Sequence, residues 1–172
     1  MVMTVIDSDS YRAVMSRWAS GVSLVTCCAN GEPVGCTVSA LTSLSLVPPR
    51  LLVCLDLSAR TLGYLRTARR FCVNVLGAEQ VHLPRRFASR ESTQAEKFAD
   101  VSYRLEHGTV VLEGCIATLV CDVVEELVHG DHAVVVGEVV HGDETDGDPL
   151  IFFRSDFGTL RAEDHGSACV ER

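Results

Sequence analysis

Three short stretches of the 172-residue sequence carry side chains suited to holding a polar ligand. The first is CTVSALTSLSLVPPR, residues 36–50, with five hydroxyls and no charge before Arg50. At strand period the even positions Cys36, Val38, Ala40, Leu44 and Leu46 form an apolar face interrupted by Thr42. The odd positions Thr37, Ser39, Ser43 and Ser45 form a hydroxyl face interrupted by Leu41. A solvent-facing strand would ordinarily mix Lys or Glu with its threonines. Short neutral donors and acceptors suit close contact with a polar, planar or phosphorylated ligand, and an amphipathic strand merely rich in Ser and Thr accounts for the pattern equally well. The second stretch, DLSART (56–61), runs from an apolar segment into a helix start. The N–H groups of that first turn, the hydroxyls of Ser58 and Thr61, and Arg60 would make an anion site. A plain capping sequence is the alternative, but Arg66, Arg69, Arg70, Arg85, Arg86 and Arg90 concentrate basic charge in the same half of the chain. The third is Gly130-Asp131-His132, either a hairpin turn with an exposed imidazole or a strand junction whose His bonds a ligand.

Other chemistries find little support. G-x-S-x-G, a Walker loop and G-x-G-x-x-G are all absent, which excludes a Rossmann domain of the usual kind. The eight cysteines and six histidines form no C-x-x-C pair and no metal-ligand spacing, so no metal site is expected. Seven of those cysteines lie in or beside apolar runs and read as small buried hydrophobes, while Cys169 lies in the tail. A formal charge of −8 argues against a nucleic-acid partner and against an anionic membrane surface. No run approaches the roughly 18 apolar residues that cross a bilayer, and MVMTVIDSDS has no basic n-region, so a cytoplasmic protein is expected.

The elements that would position these stretches are mostly strands. A first helix, capped by Asp9 or Ser10 and stopped by Gly21, would place Tyr11, Val14, Met15 and Trp18 in the core. Residues 22–28 and 34–46 read as a hairpin through Asn30-Gly31. RLLVCLD (50–56) and FCVNVL (71–76) read as strands buried on both faces, with a helix over 58–70 between them that Ser58 would cap. Pro84 confines a further helix in 78–90 to two pieces or to a start near itself. Strands follow at 109–112, 115–129, 132–141 and 149–153, with Gly142–Asp148 as an acidic turn. This pattern predicts one domain over residues 8–161, a polar tail over 162–172, and a closed barrel with peripheral helices.

In order along the chain, GVSLVT (21–26), TVSALTSLSLVPPRLLVCLD (37–56), SART (58–61), FCVNVL (71–76), RRFA (85–88), KFADV (97–101), GDH with VVVGEV (130–139) and a late PL…F…L run (149–160) resemble the small NAD(P)H:flavin reductases of the FMN-binding split-barrel class. These are the reductase components of two-component flavin monooxygenases. The resemblance implies a mainly β, antiparallel, Greek-key-like split barrel working as a homodimer. It also implies FMN or FAD, NADH or NADPH, and a partner monooxygenase that receives reduced flavin. By position the flavin would lie against Thr37, Val38, Ser39, Ala40 and Thr42, with Asp56, Ser58, Thr61 and Asn74 nearby. Arg85 and Arg86 would reach its phosphate or adenylate end, and Gly130, Asp131 and His132 would form the nicotinamide side, with His132 the functional residue. Two departures are visible: Ala40 stands where the family has a second Ser, and Pro84 precedes RRFA. Two alternatives share the fold: a flavoprotein with tightly held FMN reducing ferric iron or an organic acceptor, and a non-enzymatic flavin- or haem-binding module.

Overall fold

The computed structural model describes residues 5–160, so the tail 162–172 and Cys169 lie outside the described residues. In chain order, α1 (Ser8–Met15) and the short β1 (Ser20–Gly21) lead into β2 (Ser23–Ala29), β3 (Glu32–Val38), β4 (Leu41–Leu46) and β5 (Pro49–Asp56). Then come α2 (Arg60–Ala68), β6 (Arg70–Val75), a 3₁₀ turn at Ala78–Gln80, α3 (Leu83–Ala88) and α4 (Gln94–Phe98). The described residues end in strands: β7 (Tyr103–Glu106), β8 (Thr109–Leu112), β9 (Ala117–His129), β10 (His132–Glu144), β11 (Leu150–Phe153) and β12 (Asp156–Thr159).

Seven strands form one sheet in the order β3-β2-β6-β9-β10-β5-β4, antiparallel throughout. β3 and β4 are its outermost members, yet only Ser39 and Ala40 separate them in sequence. Such a link spans at most about 11 Å, so the sheet has to roll until its edges meet. The expected barrel follows from this one constraint. The Ala40 carbonyl accepts from the Cys54 amide at 3.0 Å, carrying the β4–β5 pairing onto the link itself.

The barrel wall is covered on both sides. Val25, Val53, Phe71, Val73 and Val135 fill the interior together with Leu62 and Leu65 of α2. On the outside, Leu24, Leu76, Phe87, Phe98, Val110 and Leu112 form a second cluster beneath α3, α4 and the β7–β8 hairpin. β6 is thus buried on both faces, as its nearly continuous apolar run predicts, and each fully buried Phe or Val there contributes about 1.5–3 kcal/mol. β5 differs from expectation. Its burial alternates, with Leu51, Val53 and Leu55 inward and Arg50, Leu52, Cys54 and Asp56 only half-buried on the other face.

Four further expectations need correction. The strand expected over 34–46 breaks after Val38, and its two halves sit on opposite edges of the sheet. α1 is capped by Asp7, whose Oδ1 accepts from the amides of Asp9 (3.0 Å) and Ser10 (2.9 Å), and it ends at Met15, short of Gly21. Nothing in α1 is buried, and Trp18, expected in the core, is 72% exposed. The acidic turn is shorter than expected, since β10 continues through Asp143 to Glu144.

Candidate active site

The seam where β3 ends, β5 ends and α2 begins opens into a cleft of about 570 Å³. One wall is Cys36 to Ala40 with Cys54 and Leu55. Thr37 spends its hydroxyl on the Pro84 carbonyl of α3 (2.6 Å), and the Val38 carbonyl accepts from Ser23 Oγ (3.0 Å). Ser39 and Ala40, past the last β3 pairing, are exposed and carry the link's own backbone along the cleft. This wall presents no formal charge.

The opposite end is cationic. Asp56 Oδ1 accepts from both the amide (2.7 Å) and the hydroxyl (2.6 Å) of Ser58, and its Oδ2 accepts from Arg90 at 2.6 Å. The Ser58 hydroxyl and amide, then the Arg90 charge, hold the Asp56 carboxyl below the usual carboxylate range. Ser58 therefore shapes the turn and does not cap α2. The N-cap is Ala59, which supplies no side-chain bond, so the positive end of α2 is left open beside Arg60 and Thr61. Arg60 is aimed by the carbonyls of Arg90 (3.3 Å) and Ser92. Thr61 is 2% exposed beside Cys36, whose thiol burial pushes upward in pKa.

The third wall comes from α3 and α4, carrying Phe87, Ala88, Ser89, Arg90, Gln94 and Lys97. Pro84 lies in the first turn of α3, where a missing N–H costs nothing. α4 starts with a reciprocal cap, Thr93 Oγ1 accepting from the Glu96 amide (3.2 Å) and Glu96 from the Thr93 amide (2.7 Å). It docks on β3 at Gly35, whose amide donates to Gln94 Oε1 at 2.9 Å; a β-carbon there would meet Thr26, Phe87 and Phe98 at 3.1–3.2 Å.

His132 completes the cleft at its mouth. It is the first residue of β10, paired in register with Asp56 of β5, and the Asp131 carbonyl accepts from the Leu57 amide (2.9 Å). Its Nδ1 lies 2.7 Å from Asp131 Oδ1, a contact that also holds the Asp131 carboxyl below its ordinary pKa. An ionised Asp131 favours the tautomer with the proton on Nδ1, leaving Nε2 for a ligand.

Of the residues singled out in the sequence, Thr37, Val38, Ser39, Ala40, Asp56, Ser58, Thr61 and His132 meet in this one cleft. Gly130 and Asp131 form the hairpin tip that carries His132. Four residues fall elsewhere. Thr42 lies in a neighbouring groove with Tyr11 and Trp18. Asn74 is fully buried: its amide nitrogen donates to the Leu24 carbonyl (3.1 Å) and Thr26 Oγ1 (2.8 Å), and its oxygen accepts from the Leu112 amide (2.8 Å). It ties the barrel wall to β8 and has no polar atom to offer a ligand. Arg86 turns away to the carbonyls of Glu96 and Ala99. Arg85 lines a smaller, adjoining cavity of about 250 Å³ and lies over the Phe157 ring at 5.7 Å. Sequence reasoning missed Ser89, Gln94 and Lys97, although Thr93-x-x-Glu96 announces the helix that carries the last two.

An antiparallel barrel with an open cleft at its seam, neutral along one wall and cationic at one end, defines a binding protein for a ligand with a polar ring and an anionic arm. Comparison with known proteins narrows that class. The flavin reductase like domain matches residues 15–161. The reductase component of a 4-nitrophenol 4-monooxygenase/4-nitrocatechol 2-monooxygenase from Rhodococcus opacus is 40% identical over 158 residues, covering 91% of this chain and 83% of that one. An FMN reductase (NADH) from Agrobacterium fabrum is 32% identical over 153 residues, 88% of this chain and 86% of that one. Among solved structures, the NADH:FAD oxidoreductase SgcE6 of Streptomyces globisporus C-1027, in complex with NAD and FAD fragments, superposes with a TM-score of 0.83 at 28% identity, covering 96% of this chain and 100% of that one. The chain belongs to the flavin reductase like domain family.

Proposed function

We propose that this protein is an NAD(P)H:flavin oxidoreductase that passes a hydride from reduced nicotinamide to FMN or FAD and supplies the reduced flavin to a flavin-dependent monooxygenase. The observation that carries this is the two-ended cleft. In a chain of net charge −8, Arg60, Arg90, Lys97 and an uncapped helix end converge against a single carboxylate, Asp56, beside a wall without charge. That donor set fits an uncharged ring at Thr37–Ala40 and a phosphate at Ser58–Thr61 and Ser89–Arg90. When bound, the flavin supplies the ring that takes up the hydride.

The residues themselves have a positioning task. The backbone of Thr37–Ala40 and the Ser39 hydroxyl would orient the ring, Arg60 and the open N–H groups of α2 would hold the phosphate on the turn that Ser58 shapes, and His132 would orient the nicotinamide through Nε2. Alignment of two reactants is worth roughly 7–11 kcal/mol, and no general base is needed for a hydride. Arg85, over the Phe157 ring beside the adjoining cavity, would be the residue to contact the adenylate end of a dinucleotide. The domain would span residues 8–161.

We also propose a cytoplasmic homodimer. The seven described cysteines are all free, as a reducing compartment keeps them. Among the described residues no helix is long and apolar enough to cross a membrane. Val14, Met15, Trp18, Leu44, Leu46 and Val47 expose apolar surface that a second copy would cover. Functional assignment is tested by mixing the purified protein with NADH or NADPH and excess FMN, FAD or riboflavin. Many turnovers per protein with free flavin are expected; nicotinamide oxidation limited to one turnover, or absent, refutes the reading.

A further inference from the structure

Fourteen of the fifteen basic residues in this chain are arginines, and the single lysine is Lys97. It is 5% exposed and lines the floor of the cleft. Its ammonium donates to the Phe87 carbonyl at 2.8 Å, and among the described residues no carboxylate pairs with it. The ionisable neighbours it feels are the Cys36 thiol, kept neutral by burial, and Arg60, another cation. A buried charge without a counter-charge is costly, and one backbone carbonyl, which a neutral donor would satisfy equally well, does not account for it. A compact ammonium is also the point-like cation, where a guanidinium would need room for a planar fork.

We propose that Lys97 is the built-in counter-charge for a negative group on the bound flavin. This rests on the flavin reductase reading and goes beyond it by assigning the charge that the ligand must bring. Two groups share the required chemistry: the 5′-phosphate, and the N1–C2=O edge of the ring, which becomes anionic on reduction. Either would complete an ion pair inside the protein that is half present in its absence.

Wild type, Lys97→Gln and Lys97→Met are titrated anaerobically with oxidised FMN, oxidised riboflavin and dithionite-reduced riboflavin, with melting curves recorded for each. Gln keeps an N–H donor, on a side chain one atom shorter, and removes the charge, and Met removes both donor and charge. Both variants should lose about 10–100-fold in affinity for the anionic ligand. A loss for FMN with both riboflavin forms unaffected assigns the phosphate; a loss for reduced but not oxidised riboflavin assigns the ring. The proposal is overturned if all three affinities shift by one common factor or none shifts, or if Gln behaves as wild type while Met does not, which would leave Lys97 a tie to Phe87. Failure of the flavin reading itself looks different: wild type would then bind none of the three flavins.

Discussion

Replacing His132 by Ala separates the two halves of the cleft. The side chain is 46% exposed, and its bond to Asp131 Oδ1 is made to a carboxylate that is itself 90% exposed. The β10 backbone that carries it stays paired to both β5 and β9, so stability should change by no more than about 0.5 kcal/mol. If Nε2 orients the nicotinamide, the loss is one directed polar contact. A fall of 10–100-fold in kcat/KM corresponds to roughly 1.4–2.7 kcal/mol. Steady-state NADH oxidation should show it as a raised KM or a slower flavin reduction, and a fluorescence titration should show flavin affinity unchanged. His132→Asn should recover part of the loss, because an amide still offers a donor and an acceptor. The Asp131 carboxyl adds a pH signature. Its folded pKa is lowered, so the hold on the ring is complete above the ordinary carboxylate range and fades only as pH falls through the depressed value. Wild-type kinetics in the Ala variant would reduce the Gly130–His132 turn to an ordinary hairpin. An equal collapse of flavin binding would place His132 on the flavin side.

Three other expectations follow from the same geometry. Ser58→Ala removes a hydroxyl from the Asp56 turn without touching the core, so flavin affinity should weaken by about 10-fold at unchanged melting temperature; the buried Thr61, beside Cys36, is the wrong partner for that test because its loss would also destabilise the fold. Asn74→Ala orphans the Leu112 amide and removes the bonds to Leu24 and Thr26 in a fully buried place, costing about 3–5 kcal/mol. At about 2–4 °C per kcal/mol its thermal midpoint should fall by some 6–20 °C, while a direct role in flavin binding would show as lost affinity in protein that is still folded. Trp18→Glu with Leu46→Glu should convert a sedimenting dimer into monomer; a wild type that is already monomeric and fully active would remove the dimer.

The hairpins were legible because each depends on local signals: strand-period burial, Asn30-Gly31 and Gly130-Asp131 at the turns. The barrel seam was written in the sequence in a less obvious form. Leu41 and Thr42, which interrupt the two faces of residues 36–46, mark a change of parity, since Val38 and Leu41 both pack on the interior and no continuous strand allows that. Reading the interruptions as noise merged β3 and β4 into one element. Asn74 misled for a different reason. Only its position in the family resemblance puts it near the flavin, and its partners, Leu24, Thr26 and Leu112, arrive from strands distant in sequence. Trp18 continues the apolar spacing of α1 but lies past its end at Met15, in a segment that the described residues leave exposed. Periodicity reports that a face is apolar, not which molecule covers it.

In the proposed site the same seam accounts for Ala40 where the resembled family has a second serine. Strand pairing of β3 stops at Val38 and that of β4 begins at Leu41, so the amides of Ser39 and Ala40 lie outside the ladder. Backbone groups left outside a ladder must find water or a ligand, and both residues are exposed to the cleft. A ring edge bearing carbonyls and an N–H can be read by this backbone whatever side chain it carries. Thr37 fits that division of labour, with its hydroxyl already committed to Pro84 and its main chain left beside the cleft. In the proposed site, barrel closure and ring recognition share one feature: the link short enough to roll the sheet keeps only its Ala40 carbonyl on β5 and leaves the Ser39 and Ala40 amides outside the ladder.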